Sequence, residues 1–404
     1  MSSEVKSRTS VSSSNRENKI LAILSIALGT LLGFIGVGTG FLRLLSFSIN
    51  IPASTLYVLH PDIQYFGFLT LFILGVSYLL IPRFKNKRLD ISPLTISAPF
   101  LIFTANLAWI LTPINYRPVF TTIHLAADIF YTITVCRIMG MPAGRLASSE
   151  IYILLSPFLL DAAVIMKLYY ELQGLGTPWW STSYLQLSLL GFPTSMTYGV
   201  TVRTIRFRIG VLPRWRAIWV SLTLYIAGHW LAIASQWLDM HPTIPSAVFL
   251  VSGTAFIAGV EGFKMIRSGR GLDQMDERDR IRYQYFSTIL SIGFIWLIAG
   301  LLSGLTLAFA SLHWLRDIHI HSITIGFIAN MIMAYAPILL PPLISLRTPF
   351  RSLTPLPAYL VNIGQLLRVL GMLFSPTLVS FSGIPLIAGL GTFLVMVHRL
   401  GGGG

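Results

Sequence analysis

Long runs of apolar residues recur along almost the whole chain of 404 residues, and short polar segments separate them. About 20 apolar residues in an α-helix cross the hydrocarbon core of a bilayer, which is roughly 30 Å thick. The pattern therefore predicts an all-α, polytopic integral membrane protein with about twelve transmembrane helices. The predicted spans cover residues 20–42, 62–82, 92–114, 118–139, 150–171, 183–202, 215–238, 243–266, 283–310, 318–344, 353–375 and 377–398.

The two ends of the chain depart from this pattern. Residues 1–18 are Ser-rich and charged, so they cannot bury enough apolar surface to fold alone, and we predict a flexible cytoplasmic tail. The apolar run that follows is too long for the core of a signal peptide, which predicts an uncleaved first helix. Residues 19–400 are expected to form a single transmembrane domain, followed by a Gly tail at 401–404.

Composition and charge distribution agree with a membrane protein. Charged residues make up only 11% of the chain, against about 25% in soluble domains, which excludes an ordinary soluble enzyme and a disordered chain. Of the 29 Lys and Arg residues, 24 fall in alternate segments between the predicted helices, as the positive-inside rule requires. The distribution predicts a cell-membrane protein with both termini cytoplasmic. The same distribution explains the net charge of +14 by orientation in the bilayer rather than by binding to nucleic acid.

The single cysteine, Cys136, limits the chemistry that the chain can carry. One cysteine excludes an intramolecular disulfide, a Cys-rich zinc site, a thiolate-ligated iron–sulfur cluster and covalent c-type haem. A metal site would therefore consist of His, Asp, Glu or Met ligands.

Histidines concentrate at one side of the predicted bundle. Interfacial residues that bind water and head groups would divide about equally between the two faces, yet seven of the eight histidines fall in the outer half. A layer of imidazoles near the outer face indicates bound metal or haem, since neutral imidazole is the usual axial ligand of b-type haem. The seven outer histidines are His60, His124, His229, His241, His313, His319 and His321, and His398 lies at the inner surface.

Two of the predicted helices share a pattern at an offset of 259 residues. His60 and Gly67 recur as His319 and Gly326, and both helices end in a Leu/Ile-rich stretch followed by Pro. Each Gly lies seven residues after its His, on the same helix face about two turns away. The missing side chain leaves a shelf that favours either a flat macrocycle or the close packing of another helix.

The His-x-His sequence at 319–321 predicts two different sites. Residues at i and i+2 are about 200° apart around a helix, so His319 and His321 cannot both ligate one metal unless the helix start unwinds. The alternative is that one ring is buried and the other faces water.

Three further residues are candidates for a cofactor site. His229 lies within a predicted helix, and His124 is followed by a carboxylate one turn later. Each is either a further ligand or a buried hydrogen-bonding group. Arg368 is an intramembrane cation. A cation inside the membrane is costly unless it is paired, and a haem propionate would be one such partner.

Residues 316–341 and 60–84 resemble the NnrS family of membrane proteins and, more distantly, the large subunit of haem-copper oxidases. The resemblance covers the helix count and about 55 residues closely. It implies a twelve-helix protein with haem and copper that is linked to the nitric oxide response. By the oxidase pattern, His60 and His321 would share a low-spin haem and His319 would ligate a second one.

The sequence departs from the oxidase pattern in two ways. It has no two adjacent histidines, and no Tyr follows His229 by four residues, since Tyr225 precedes it. Reduction of oxygen to water is therefore not expected. The sequence favours an NnrS-like haem protein that handles nitric oxide or transfers electrons in the membrane.

Two alternatives remain at this point. The chain would serve equally as the membrane subunit of a b-type cytochrome respiratory complex, with a redox partner at the outer face. A secondary transporter is the second alternative, but its functional residues should lie near the midplane rather than at one end of the helices.

Overall fold

The computed structural model describes residues 2–45, 53–140, 146–209, 212–238, 240–262, 276–310, 312–343 and 354–402. All regular structure in these residues is helical, which confirms the all-α class. The helices are α1 (Ser2–Leu45), α2 (Ala53–Asp62), α3 (Thr70–Phe84), α4 (Pro93–Leu111), α5 (Arg117–Met139), α6 (Ser148–Leu172), α7 (Thr182–Leu189), α8 (Phe192–Ile209), α9 (Trp215–Trp237), α10 (Thr243–Gly259), α11 (Glu277–Phe309), α12 (His313–His321), α13 (Asn330–Leu343), α14 (Leu356–Phe374) and α15 (Pro376–Gly402). A short 3-10 helix, Ile114–Tyr116, precedes α5.

Ten helical stretches within the described ranges are long and apolar enough to cross a membrane. They correspond to ten of the twelve predicted spans. The predicted sixth span is broken, because α7 ends at Leu189 and α8 begins at Phe192. Gly191 and Pro193 flank this start, and Pro is tolerated in the first turn of a helix but not in its interior. The predicted eighth span is shorter than expected, since α10 has 17 residues.

The first and last helices extend beyond the predicted spans. Helix α1 begins at Ser2, so residues 2–18, for which we expected a flexible tail, continue the first apolar helix backwards. Extending an existing helix fixes one residue for each hydrogen bond gained, whereas starting a new one is costly. Likewise, α15 runs as far as Gly402, into the predicted Gly tail.

The sequence predicts one domain for residues 19–400, and the helices group into two compact units. Unit 1 comprises Met1–Gly40, Ala53–Leu146 and Pro157–Pro178, and unit 2 comprises Phe41–Pro52, Ala147–Ser156 and Trp179–Gly404. In unit 1, α4 packs against α5, and α3 contacts both. In unit 2, α11 packs against α10, α12 and α13, while α9 pairs with α10 and α14 with α15.

Each unit contains a π-helical segment that the hydrophobic pattern did not predict. Ile63–Leu69 links α2 to α3, and Ser322–Ala329 links α12 to α13. Both segments begin a few residues after the repeated His, so the pattern shared in sequence is also shared in backbone conformation. π-Helical turns are rare and are frequently found at functional sites.

Candidate functional site

His60 lies half-buried in unit 1, and α1 holds its ring in place. Its Nδ1 is 2.8 Å from the carbonyl oxygen of Gly36. The ring also packs against Gly40, where an added Cβ would overlap Nδ1 and Cε1. The imidazole therefore fills a notch that two glycines, one helical turn apart, leave open on α1.

His319 occupies the same kind of notch in unit 2. Its Nδ1 is 2.7 Å from the carbonyl oxygen of Gly300 on α11, and its ring packs against Gly304. The side chain is buried, and its Nε2 has no hydrogen-bond partner among the residues that the structure describes.

The two notches repeat the same sequence pattern. Gly36 and Gly40 recur as Gly300 and Gly304 at an offset of 264, close to the offset of 259 between the two histidines. Each pair is a Gly-x-x-x-Gly pattern, which lets two helix backbones approach closely. Sequence reasoning missed these glycines, although the spacing is visible in the chain.

His229 and His321 form the corresponding hydrogen bond within their own helices. Nδ1 of His229 is 2.9 Å from the Tyr225 carbonyl oxygen, and Nδ1 of His321 is 2.9 Å from the Asp317 carbonyl oxygen. Both side chains are buried. The rings of Tyr225 and Phe249 pack on His229, whose Nε2 forms no hydrogen bond within the described chain, although the Leu190 carbonyl lies close to this ring.

All four histidines predicted as metal ligands thus have Nδ1 next to a backbone carbonyl. A carbonyl oxygen only accepts hydrogen bonds, so Nδ1 carries the hydrogen, and in the neutral ring Nε2 carries the lone pair. Metal-ligating histidines have this arrangement, with the other ring nitrogen donating to a backbone or carboxylate oxygen.

His319 and His321 have different surroundings. Nδ1 of His319 donates to a carbonyl of α11, whereas Nδ1 of His321 donates within α12 and lies 3.4 Å from Asp317 Oδ1. Because α12 remains helical through His321, the two rings point in different directions. Ligation of separate centres by these two residues stays a prediction.

Arg368 is paired with a carboxylate of the protein. Its Nε and Nη2 each donate to the Asp317 carboxylate at 2.8 Å, and both side chains are buried. The predicted contact with a haem propionate is untested, and the observed fork shows that Arg368 acts at least as the counter-ion of Asp317. Arg368 therefore supports His321 indirectly, through a carboxylate 3.4 Å from the imidazole.

Gly67 and Gly326 do not lie beside open shelves in this structure. An added Cβ at Gly67 would meet the Leu32 side chain of α1, and one at Gly326 would meet Trp296 of α11. Of the two interpretations of these glycines, close helix packing is the one observed, because a neighbouring helix covers each face.

His124 has a different environment from the other four. Its Nε2 is 3.4 Å from Asp128 Oδ1, and its Nδ1 is 3.5 Å from the Asn106 amide nitrogen. Neither ring nitrogen has the short backbone-carbonyl bond of the other candidates. His124 instead belongs to a group of buried polar side chains in unit 1.

Among the described residues, no three His, Cys, Asp or Glu side chains come together as a metal site. An axial haem site needs only one or two imidazoles, so this observation bears on copper more than on haem. His60 and His321 belong to different compact units, and their predicted sharing of one haem stays a prediction.

One family of known sequences matches part of the chain. It is a domain of unknown function, DUF8744, and it matches residues 272–400, which contain His313, His319, His321 and Arg368. No curated protein matches the chain.

Proposed function

We propose that this protein is an NnrS-like, multi-pass protein of the cell membrane that binds b-type haem near the outer face. The observation that carries the proposal is His319, whose Nδ1 is fixed by the Gly300 carbonyl while its buried Nε2 has no partner among the described residues. A buried polar atom left without a hydrogen bond is costly, and an axial bond to iron would satisfy it.

The outer surfaces of the helices support membrane insertion. Helix α14 exposes apolar side chains along one face, and a patch of this kind is unusual on a soluble protein. These residues are Ile363, Leu366, Leu370 and Leu373. Exposed Trp residues, which favour the membrane–water interface, lie at both ends of α9: Trp215 and Trp237.

The sixth and eighth predicted spans, which are not among the ten long apolar helices of the described chain, still fit a twelve-helix arrangement. At 1.5 Å per residue, the 17 residues of α10 extend about 25 Å, which nearly equals the hydrocarbon thickness. Helices α7 and α8 together replace one span, with a break at Gly191. With twelve crossings, the charge asymmetry supports a cytoplasmic position for both termini.

The chain's own residues set the orientation of His319, which would hold the haem. The Gly300 carbonyl fixes the tautomer and rotation of His319, and Gly304 leaves room for its ring. Burial of His229 and His319 excludes water from their Nε2 atoms. Haem, when bound, supplies an iron that changes oxidation state and binds small gases, which suits nitric oxide handling or electron transfer in the membrane.

Spectroscopy of the purified protein tests the proposal. Full-length protein from a haem-replete host is expected to show b-type haem in reduced-minus-oxidised spectra and in a pyridine haemochrome assay. His319→Ala should remove one spectral component, because it deletes the nitrogen that would bind the iron. His241→Ala is the control, because His241 is exposed and bonds to Thr243. Colourless protein from such a host would contradict haem binding.

A gas ligand distinguishes the two activities that the proposal contains. Nitric oxide handling needs an iron position that is open or displaceable, whereas an electron carrier has both axial positions filled. Carbon monoxide added to the reduced protein should shift the Soret band in the first case. The absence of a shift at every haem would leave electron transfer, and with it the cytochrome-subunit alternative.

Thiol labelling tests the orientation. In a Cys136→Ser background, Glu277→Cys should be shielded from impermeant thiol reagents in whole cells, and His313→Cys should react. Both positions are exposed in the structure, so accessibility depends on the side of the membrane. The opposite labelling pattern would place the histidine layer on the cytoplasmic side.

A further inference from the structure

Unit 1 buries a group of charged side chains that the haem proposal does not use. Nζ of Lys167 lies 3.5 Å from Asp62 Oδ2 and 3.7 Å from Glu171 Oε1. Thr177 donates to Asp62 at 2.8 Å, and Trp109 donates to Glu171 at 2.8 Å. These two carboxylates are therefore compensated by a cation and by hydrogen bonds.

Asp128 lacks such compensation. Its side chain is fully buried, and neither carboxyl oxygen has a hydrogen-bond partner in the described part of the chain. The nearest basic atom is Nε2 of His124 at 3.4 Å, which is itself buried and without a hydrogen bond there. Asp161, which accepts a 2.8 Å hydrogen bond from Thr132 on one oxygen, has no such partner for the other.

The groups that face these two carboxyls come from several elements. Asp128 interacts electrostatically with His124, Lys167, Tyr65, Tyr131 and Asp161, and Asp161 also with Cys136. Lys167 is the only lysine among them, and it already serves two carboxylates. An ionised carboxylate in such a place is costly, and a neutral carboxylic acid costs much less.

We propose that Asp128, His124 and Asp161 form a proton-binding site inside unit 1. The Asp128–His124 pair holds one proton, which resides on Asp128 Oδ1 or on His124 Nε2. When the proton moves, the O–H bond breaks as the N–H bond forms, and with a hydrogen on Nδ1 of His124 the pair keeps zero net charge in both states. Loss of this proton would leave a buried negative charge.

The geometry suits transfer along a helix. His124, Asp128 and Thr132 are spaced four residues apart on α5, so they lie on one face at intervals of about 6 Å along the axis. Thr132 connects this face to Asp161 of α6. The Phe66 ring contacts both Lys167 and His124, and so lies next to both the ionic group and the proton site.

A proton is favoured over a metal cation as the ligand. A sodium or calcium ion needs several converging oxygens, whereas Asp128 faces a nitrogen base and aromatic residues. The described residues also contain no group of three candidate metal ligands. The site goes beyond haem binding and does not depend on it.

Infrared difference spectroscopy tests the proposal on the full-length protein in vesicles. A buried protonated carboxylic acid gives a C=O band that shifts in D₂O, and we expect this band at neutral pH. Asp128→Asn should remove it, and Asp161→Asn should shift or remove a second component. Asp90→Asn is the matched control, because Asp90 is an exposed aspartate of the same unit and its replacement should change nothing.

His124→Gln provides a second variant that retains the carboxyl group. It should move the Asp128 band without removing it, because the acid loses its basic neighbour. A spectrum that is identical in wild type and Asp128→Asn at every pH would overturn the proposal. If the band responds to sodium at constant pH, the site binds a metal cation rather than a proton. If protein from a haem-replete host contains no haem but still shows the band, haem binding is refuted and the proton site is supported.

Discussion

Gly40→Val is expected to abolish the haem component that depends on His60, and Gly304→Val the component that depends on His319. In both notches an added Cβ would overlap the imidazole ring, which must rotate away and lose its bond to the backbone carbonyl. Displacement of an axial ligand by about 1 Å is enough to lose its function. Reduced-minus-oxidised spectra of each variant, normalised to protein, give the measurement.

Gly38→Val is the matched control for the first of these substitutions. Gly38 lies on the same helix, two residues before Gly40, and an added Cβ there has no neighbour within 4 Å in the described structure. Both substitutions change the helix propensity by the same amount, less than about 1 kcal/mol and in favour of the helix, because Gly is a poorer helix former than Val. Full haem content in Gly40→Val would show that the notch does not position a ligand.

Arg368→Gln is expected to destabilise the protein strongly, by about 3–5 kcal/mol, because it leaves the buried Asp317 carboxylate without its cation. The double variant Asp317→Asn with Arg368→Gln removes both charges and should recover most of this loss. Thermal unfolding of the purified variants measures the difference. The His321 component should weaken in the single variant, since its neighbouring carboxylate changes position.

An exposed ion pair of unit 2 provides the comparison. Arg214 Nε lies 2.8 Å from Glu261 Oε1, but the Arg214 side chain is 58% exposed. Arg214→Gln should therefore cost only about 0–1 kcal/mol. If the Asp317/Arg368 double variant is no more stable than Arg368→Gln alone, the two residues do not act as a charge pair, and another contact of Arg368 must explain its effect.

The sequence predicts those features that depend on local periodicity. Apolar runs locate ten helices that are long enough to span a membrane, and the offset of 259 residues identifies two helices with related structure. Gly191 and Pro193 also indicate the break before Phe192, although the predicted apolar run extends across it. The two π-helical segments have no periodic signal, because one wide turn leaves the hydrophobic pattern almost unchanged.

Contacts between distant residues could not be predicted from the sequence. Asp317 and Arg368 are 51 residues apart, and Thr177 and Asp62 are 115 apart. The sequence identifies Lys167 as an intramembrane cation that needs a partner, but it does not show that Lys167 has two partners. The Gly-x-x-x-Gly notches were visible, yet only the fold shows which imidazole each one holds.

The repeated helix pair has the pattern that a duplication within the chain would produce. An ancestral pair that was duplicated would give the two offsets, 264 for the first helix and 259 for the second, if the loop between the helices later changed by five residues. At the same offset, His321 corresponds to Asp62. The helix pair in unit 1 has a carboxylate at this position, paired with Lys167, whereas the pair in unit 2 has an imidazole beside Asp317. The same position of the repeat thus carries a buried acid in one helix pair and a base in the other.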